Sequence, residues 1–152
     1  MKLRGFEVVS DEFRAYPNKE IKLPVRSTEK SAGYDLFLPE EVVIGPNERV
    51  LVMSDIKAYM QSDEVLELHV RSSIGIKKGI ILSNITGIID SDYYNNPAND
   101  GNIGLALYNT TNEVVTLEAG EKVVQGIFKK YLVADNGNTG NQRCSGIGST
   151  GK

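Results

Sequence analysis

The chain has 152 residues, a formal net charge of −3, and 40% apolar and 24% charged side chains. That length fits one domain with a genuine core and leaves no comfortable room for two. The mild negative charge excludes a broad electrostatic surface for DNA or RNA, no apolar run reaches the roughly 20 residues of a bilayer span, and a lone cysteine excludes an internal disulfide.

Read in chain order, the opening MKLRGFEVVSDEF lacks the apolar centre of a signal peptide, so the expectation is a cytoplasmic protein without membrane association. Ser31-Ala-Gly-Tyr-Asp35-Leu36 sets an aspartate among small residues and reads locally as a turn. Turn signals follow at Leu38-Pro39 and Gly45-Pro46-Asn47. Arg49–Met53 alternates with period two, as does Leu66–Val70, which puts Leu66, Leu68 and Val70 on one face and His69 on the solvent side. The best helical candidate is the short stretch Ser72–Lys78. Ile103–Leu107 alternates again, with Ile103, Leu105 and Leu107 on one face, and Glu118–Glu121 supplies another turn. No sustained 3.6-residue stripe and no repeat interrupt this pattern, so the fold class is all-β, an antiparallel sandwich or barrel with at most one short helix. From Asp135 onward almost nothing apolar is available to bury, which predicts a domain over 1–134 followed by a mobile arm over 135–152.

Four polar groups stand where a core strand would not put them. Arg71-Ser72-Ser73 follows directly on a strand and offers a guanidinium fork and two hydroxyls, suited to phosphate oxygens or to an ordinary polar turn. Asp90, in Gly87-Ile-Ile-Asp90-Ser-Asp92-Tyr93, follows two isoleucines and belongs at the rim of buried structure, as a turn residue or as a carboxylate with a reaction to serve. Asp35 is the third, and Gln125 in Gly120-Glu-Lys-Val-Val-Gln125-Gly126 is the fourth; a buried glutamine must hydrogen-bond something. The final letters GIGSTGK spell the opening of a P-loop. Neither the preceding strand pattern nor a Ser or Thr after the lysine accompanies them, so the stretch reads as a Gly/Ser/Thr arm able to wrap phosphate.

Taken together and in this order, AGYDL (Ala32–Leu36), RSS (Arg71–Ser73), GIIDSDY (Gly87–Tyr93), GEKVVQG (Gly120–Gly126) and RCSGIGSTG (Arg143–Gly151) resemble the five motifs of the trimeric, all-β dUTP pyrophosphatase family, from about residue 22 onward. The resemblance implies a jelly-roll-like distorted antiparallel barrel, a homotrimer with sites shared between subunits, and Mg²⁺-dependent hydrolysis of dUTP to dUMP and pyrophosphate, which lowers dUTP and supplies dUMP for dTMP synthesis. It implies that Asp90 orients and deprotonates the attacking water, that Gln125 holds the same water, and that Asp35 supports metal-bound water while the triphosphate itself chelates the ion. Arg71, Ser72 and Ser73 would bind phosphates. Asn84, Gly87 and Ile89 would line the uracil slot, with Tyr93 under the deoxyribose. Arg143, Ile147, Gly148, Ser149 and Thr150 of the arm would close the site.

Two departures stand out. Ile147 occupies the place where the family's arm usually carries a phenylalanine that stacks on uracil, and the arm is one residue shorter between Arg143 and that lid. Tyr94 or the extra loop Asn95–Asp100 is the candidate replacement lid. A dCTP deaminase of similar fold would need a glutamate where Ala106 stands, and an arginine where Ile76 stands. A regulatory nucleotide-binding module would keep the fold without turnover. Cys144 as a nucleophile is disfavoured, because His69, the single histidine, has no activating geometry beside it.

Overall fold

Because side chains alternate across a strand, each period-two segment can bury one row against the core and leave the other in water. The computed structural model, which describes residues 1–146, has twelve strands: β1 (Gly5–Val8), β2 (Val25–Arg26), β3 (Tyr34–Phe37), β4 (Val42–Ile44), β5 (Arg49–Met53), β6 (Ile56–Tyr59), β7 (Glu64–Val70), β8 (Ile80–Leu82), β9 (Gly87–Asp90), β10 (Gly104–Asn109), β11 (Val115–Leu117) and β12 (Lys122–Lys130), of which β4, β8 and β10 alternate buried and more exposed residues along their whole length. All pairings are antiparallel. The largest sheet runs β2-β3-β12-β7-β9; the others are β5-β10-β8, β1-β6 and β11-β4. The helical candidate at Ser72–Lys78 is a single π-helical turn, Ser73–Lys77, whose Ile74 is buried. No described helix is long and apolar enough to cross a membrane.

The rows expected to be apolar are the ones that face inward. Leu66 and Leu68 of β7 are buried with Leu36 of β3 and Val124 of β12, against Ile103, Leu105 and Leu107 from the β10 side. Burying each such side chain stabilises the fold by about 2 kcal/mol. Val70 at the end of β7 is only half-buried, because the strand runs out towards the turn. The opposite face of the large sheet carries Asp35, Gln125, Glu67 and His69, and His69 sits there paired with Glu67 at 3.3 Å.

One buried carboxylate closes the barrel at its N-terminal end. Asp55 is fully buried, at φ 60, a left-handed conformation that aspartate tolerates better than most residues. Its oxygens accept the backbone N–H groups of Ala15 (2.7 Å) and Tyr16 (2.8 Å), the Asn102 amide (2.9 Å) and the Arg14 guanidinium (3.4 Å). In return the Asp55 N–H donates to Asn102 Oδ1 at 2.8 Å. The N-terminal segment, the β5–β6 corner and the start of β10 therefore share one polar centre. Asp55→Ala strands those donors and leaves Arg14 without its counter-charge, so it is expected to lower unfolding stability by about 3 kcal/mol, read as a shifted urea midpoint.

Candidate active site

β9 is short because Asp90 ends it, and a 3₁₀ turn over Ser91–Tyr93 redirects the chain. This turn brings the motif's aromatic back under the hairpin that precedes it. A cavity of about 300 Å³ opens there, lined by Asn84, Thr86, Gly87, Ile89, Asp90 and Tyr93, with Ala106 and Leu82 beneath and Arg143 at the mouth. Gly87 is needed for the close approach of β9 to β7, since a Cβ there would sit 2.9 Å from the Leu68 Cβ. At the hairpin tip Ile85 has φ 65 and is 70% exposed. A β-branched residue held in that region costs roughly 1–3 kcal/mol, and the turn that imposes it is closed by Ile85 N–H to Leu82 O (2.9 Å) and Thr86 N–H to Asn84 O (2.7 Å).

Tyr93 is buried and held at its phenol end: it donates to the Asn102 carbonyl and accepts from Asn99 Nδ2 at 2.9 Å. Burial pushes its hydroxyl pKa above the ordinary tyrosine range. Tyr94 turns the other way. Its hydroxyl donates to Glu7, its ring packs edge-on against Tyr59 with Lys57 over its face, and burial together with the Glu7 carboxylate raises its pKa to about 12. Loop Asn95–Asp100 folds inward as well, with Asp100 accepting from Lys57 Nζ at 2.9 Å and from Ser10 N–H at 2.8 Å. The expectation of a lid at Tyr94 or in this loop is therefore corrected: both are bonded into their own barrel beside and behind Tyr93.

Arg143 lies across the mouth of the cavity. Its Nη2 donates to Asp90 at 2.7 Å and its Nε to Asp92 at 2.7 Å, with the guanidinium 5.7 Å from the centre of the Tyr93 ring. Its side chain is 11% exposed, against 53% for Asp90. Gly146 lies so close to the Tyr93 ring that any side chain would collide with it. Between this segment and the barrel is a wider cleft of about 830 Å³ that includes Asp92, Ser145 and the exposed Cys144. Ile147, Gly148, Ser149 and Thr150 lie outside the described residues.

The remaining site candidates gather elsewhere on the same sheet. Asp35 is buried, with Oδ2 accepting from Ser27 Oγ at 2.6 Å and Oδ1 3.1 Å from Arg71 Nε; Lys122 Nζ lies 3.8 Å from Oδ2. Gln125 pairs directly with Asp35 across β3 and β12, and its side chain fills the space that a Cβ on Gly33 would need. Ser72 and Ser73 are exposed at the turn after β7, beside Arg71. Gln125 stands level with His69 of β7, whereas Asp90 stands level with Val65. Four residues of strand rise and two inter-strand steps separate the two, roughly 15 Å.

Thus the sequence candidates fall into two separate clusters, one around Asp90 and Tyr93 and one around Asp35, Arg71 and Gln125. Sequence reasoning missed Asn99, Lys122 and Ser27, and it passed over Asp92 as a partner of Arg143. The signal for Asp92 was present as two carboxylates two residues apart; nothing local marks the others.

Residues 19–151 match the family model described as dUTPase. The Lactococcus lactis deoxyuridine 5'-triphosphate nucleotidohydrolase is 49% identical over 153 residues, covering 99% of each chain. Among solved structures, a dUTPase from Streptococcus mutans superposes with a TM-score of 0.75 at 46% identity, covering 86% of this chain and 98% of that one. A Staphylococcus bacteriophage 80alpha dUTPase with dUpNHpp reaches a TM-score of 0.71 at 18% identity, covering 93% of this chain and 90% of that one, and so shares the fold.

The docking of residues 135–146 rests on the Arg143 ion pairs. Arg143→Ala is expected to free this segment, raising its cleavage rate several-fold in limited proteolysis followed by mass spectrometry. The paired substitution Asp90→Asn with Asp92→Asn should have the same effect.

Proposed function

This chain belongs to the dUTPase family and is a dUTP-hydrolysing enzyme, and we propose that it releases pyrophosphate through attack of an Asp90-activated water on the α-phosphorus. The observation that carries this reading is the cavity of about 300 Å³ with a carboxylate at its mouth and a buried tyrosine for its wall. Its size suits one pyrimidine nucleoside. Asn84 and the backbone at Gly87 supply the polar edge for the base, Ile89 the apolar wall, and Tyr93 the platform under the sugar, where a 2′-hydroxyl would meet the ring.

In the reaction the Asp90 carboxylate takes a proton from water as the water oxygen bonds to the α-phosphorus, and the bond to the β-phosphate bridge breaks to release pyrophosphate. Gln125 holds the same water, and Arg71, Ser72 and Ser73 receive the phosphate oxygens. The donor set also fits a divalent cation of limited protein ligation. Among the described residues no cluster of three candidate ligands exists, and Asp35, flanked by Arg71 and Lys122, is too well neutralised to hold a bare ion yet can accept from a bound water. Mg²⁺, which keeps several waters and takes phosphate oxygens readily, would neutralise the triphosphate when bound. Arg143 must leave Asp90 before that carboxylate can accept a proton, and the phosphate chain offers the guanidinium a stronger partner. The residues 135–152 then act as an arm on the 1–134 barrel, with Ile147, Gly148, Ser149 and Thr150 closing over the nucleotide.

Deaminase chemistry is disfavoured by the cavity floor. Ala106 lines it where a proton-shuttling glutamate would be required, and a methyl group moves no protons. The separation of Asp90 from Gln125 is the reason to propose a homotrimer, in which the Asp90 half-site of one subunit meets the Asp35–Gln125 half-site of a neighbour.

Asp90→Asn is expected to lower kcat for pyrophosphate release from dUTP by about a thousandfold, measured with Mg²⁺ beside dCTP, dTTP and UTP. Unchanged turnover would rule out Asp90 as the base. Shared sites make a separate claim. Asp90→Asn and Gln125→Ala subunits, each inactive alone, should regain about a quarter of wild-type sites when unfolded and refolded as an equal mixture. No recovery would mean that both groups act within one chain.

A further inference from the structure

The loop after the third motif is rich in amides, Asn95-Asn96-Pro97-Ala98-Asn99-Asp100-Gly101-Asn102; Asn95 is exposed, whereas the side chains of Asn96, Asn99 and Asn102 turn into the structure. Asn99 Nδ2 donates to Tyr93 Oη at 2.9 Å, while Asn99 Oδ1 accepts from Asn96 Nδ2 at 2.7 Å and from the Gly101 N–H at 3.0 Å. Asn96, itself 4% exposed, donates to the Tyr93 carbonyl at 2.8 Å. The Asn102 carbonyl accepts the Tyr93 hydroxyl. Gly101, at φ 90, lets the loop return so closely that a Cβ there would sit 2.9 Å from the Tyr93 carbonyl oxygen. The loop is therefore folded around one residue, which it grips at both the phenol and the main chain.

We propose that Asn99 is a positioning residue for sugar discrimination: by holding Tyr93 Oη it fixes the tilt of the ring on which the deoxyribose rests. The inference builds on the reading of Tyr93 as that platform. A ring free to swing a few tenths of an ångström would make room for a 2′-hydroxyl and would pack less well under the hydrogen that replaces it in dUTP. Fixing the ring affects ground-state and transition-state contacts with the sugar alike, so its loss raises KM more than it lowers kcat.

The test uses the intact protein with Mg²⁺ and compares steady-state kinetics on dUTP and UTP. Asn99→Ala and Asn99→Asp are expected to raise KM for dUTP about tenfold, with kcat changed less than about threefold, and to erode the preference for dUTP over UTP about tenfold. The aspartate keeps both acceptor bonds from Asn96 and Gly101 but puts an acceptor where the donor stood, so Tyr93 keeps a bond there only by turning its hydroxyl away from the Asn102 carbonyl; the tether of the ring is changed even if the alanine variant folds poorly. Tyr93→Phe should produce the same loss, and neither Asn99 substitution should add to it in the Tyr93→Phe background. Asn99 variants that keep the wild-type preference, or that cost as much in the Tyr93→Phe background as in the wild-type protein, overturn the inference. Tyr93→Ala separates the two levels. Retained preference in that variant overturns the reading of Tyr93 as the platform and the inference with it, whereas lost preference there beside unaffected Asn99 variants overturns the inference alone.

Discussion

The stiffness of β7 governs how this molecule can work. A strand rises about 3.3 Å per residue and cannot be shortened, so whatever pairs with Val65 and whatever pairs with His69 are kept apart by the backbone itself. Asp90 takes the first position through β9 and Gln125 the second through β12. The ladder that builds the core thus keeps the cavity beside Asp90 apart from the polar cluster of Asp35, Arg71 and Gln125, and in our reading this divides the chemistry between nucleoside and phosphate. Assembly is the economical remedy in our reading, because a neighbour can present its polar patch to the cavity without any strand having to bend.

Much of the fold was legible because burial and alternation report on the same thing. β5, β7 and β10 each show a clean period of two, and the buried rows Leu66–Leu68 and Ile103–Leu105–Leu107 are the ones the pattern selects. Asp90 and Tyr93 were legible through their motif, and the structure brings both to one cavity with Asn84, Gly87 and Ile89. The distance between Asp90 and Gln125 was not legible, since it depends on which residue of β7 each neighbouring strand meets, and single-strand periodicity is blind to register. Asn96, Asn99 and Asn102 were hidden for another reason. Amides in a Pro- and Gly-punctuated run read as loop, and loop it is, but composition does not say which way an amide faces.

Electrostatics divides along similar lines. A chain of net charge −3 attracts no polyanion at long range, and the cations in its two polar clusters are committed locally: Arg71 and Lys122 to Asp35, Arg143 to Asp90 and Asp92. Arg71 and Arg143 each begin paired to a carboxylate, so in our reading a triphosphate would gain its contacts by exchanging partners. Exchange favours a ligand with several anionic oxygens, because one carboxylate alone offers no advantage over the partner already present. The strained tip at Ile85 follows the same logic, with local conformational cost concentrated beside the cavity and offset by the apolar barrel behind it.

Asp100 joins two chains of contacts. On one side it belongs to the loop that grips Tyr93; on the other it binds Ser10 and Lys57, while Glu7 holds Tyr94 and, through Lys2, reaches the first residues of the sequence. Burial alone would raise the Asp100 carboxyl, but hydrogen bonds from the Ser10 backbone and from Lys57 outweigh it and keep the group below its ordinary pKa, so the strut stays charged well into acid. The opening ten residues therefore act as a brace. A purification tag or a cleavage scar in that segment would be felt, through two carboxylates and two lysines, at the loop that holds Tyr93.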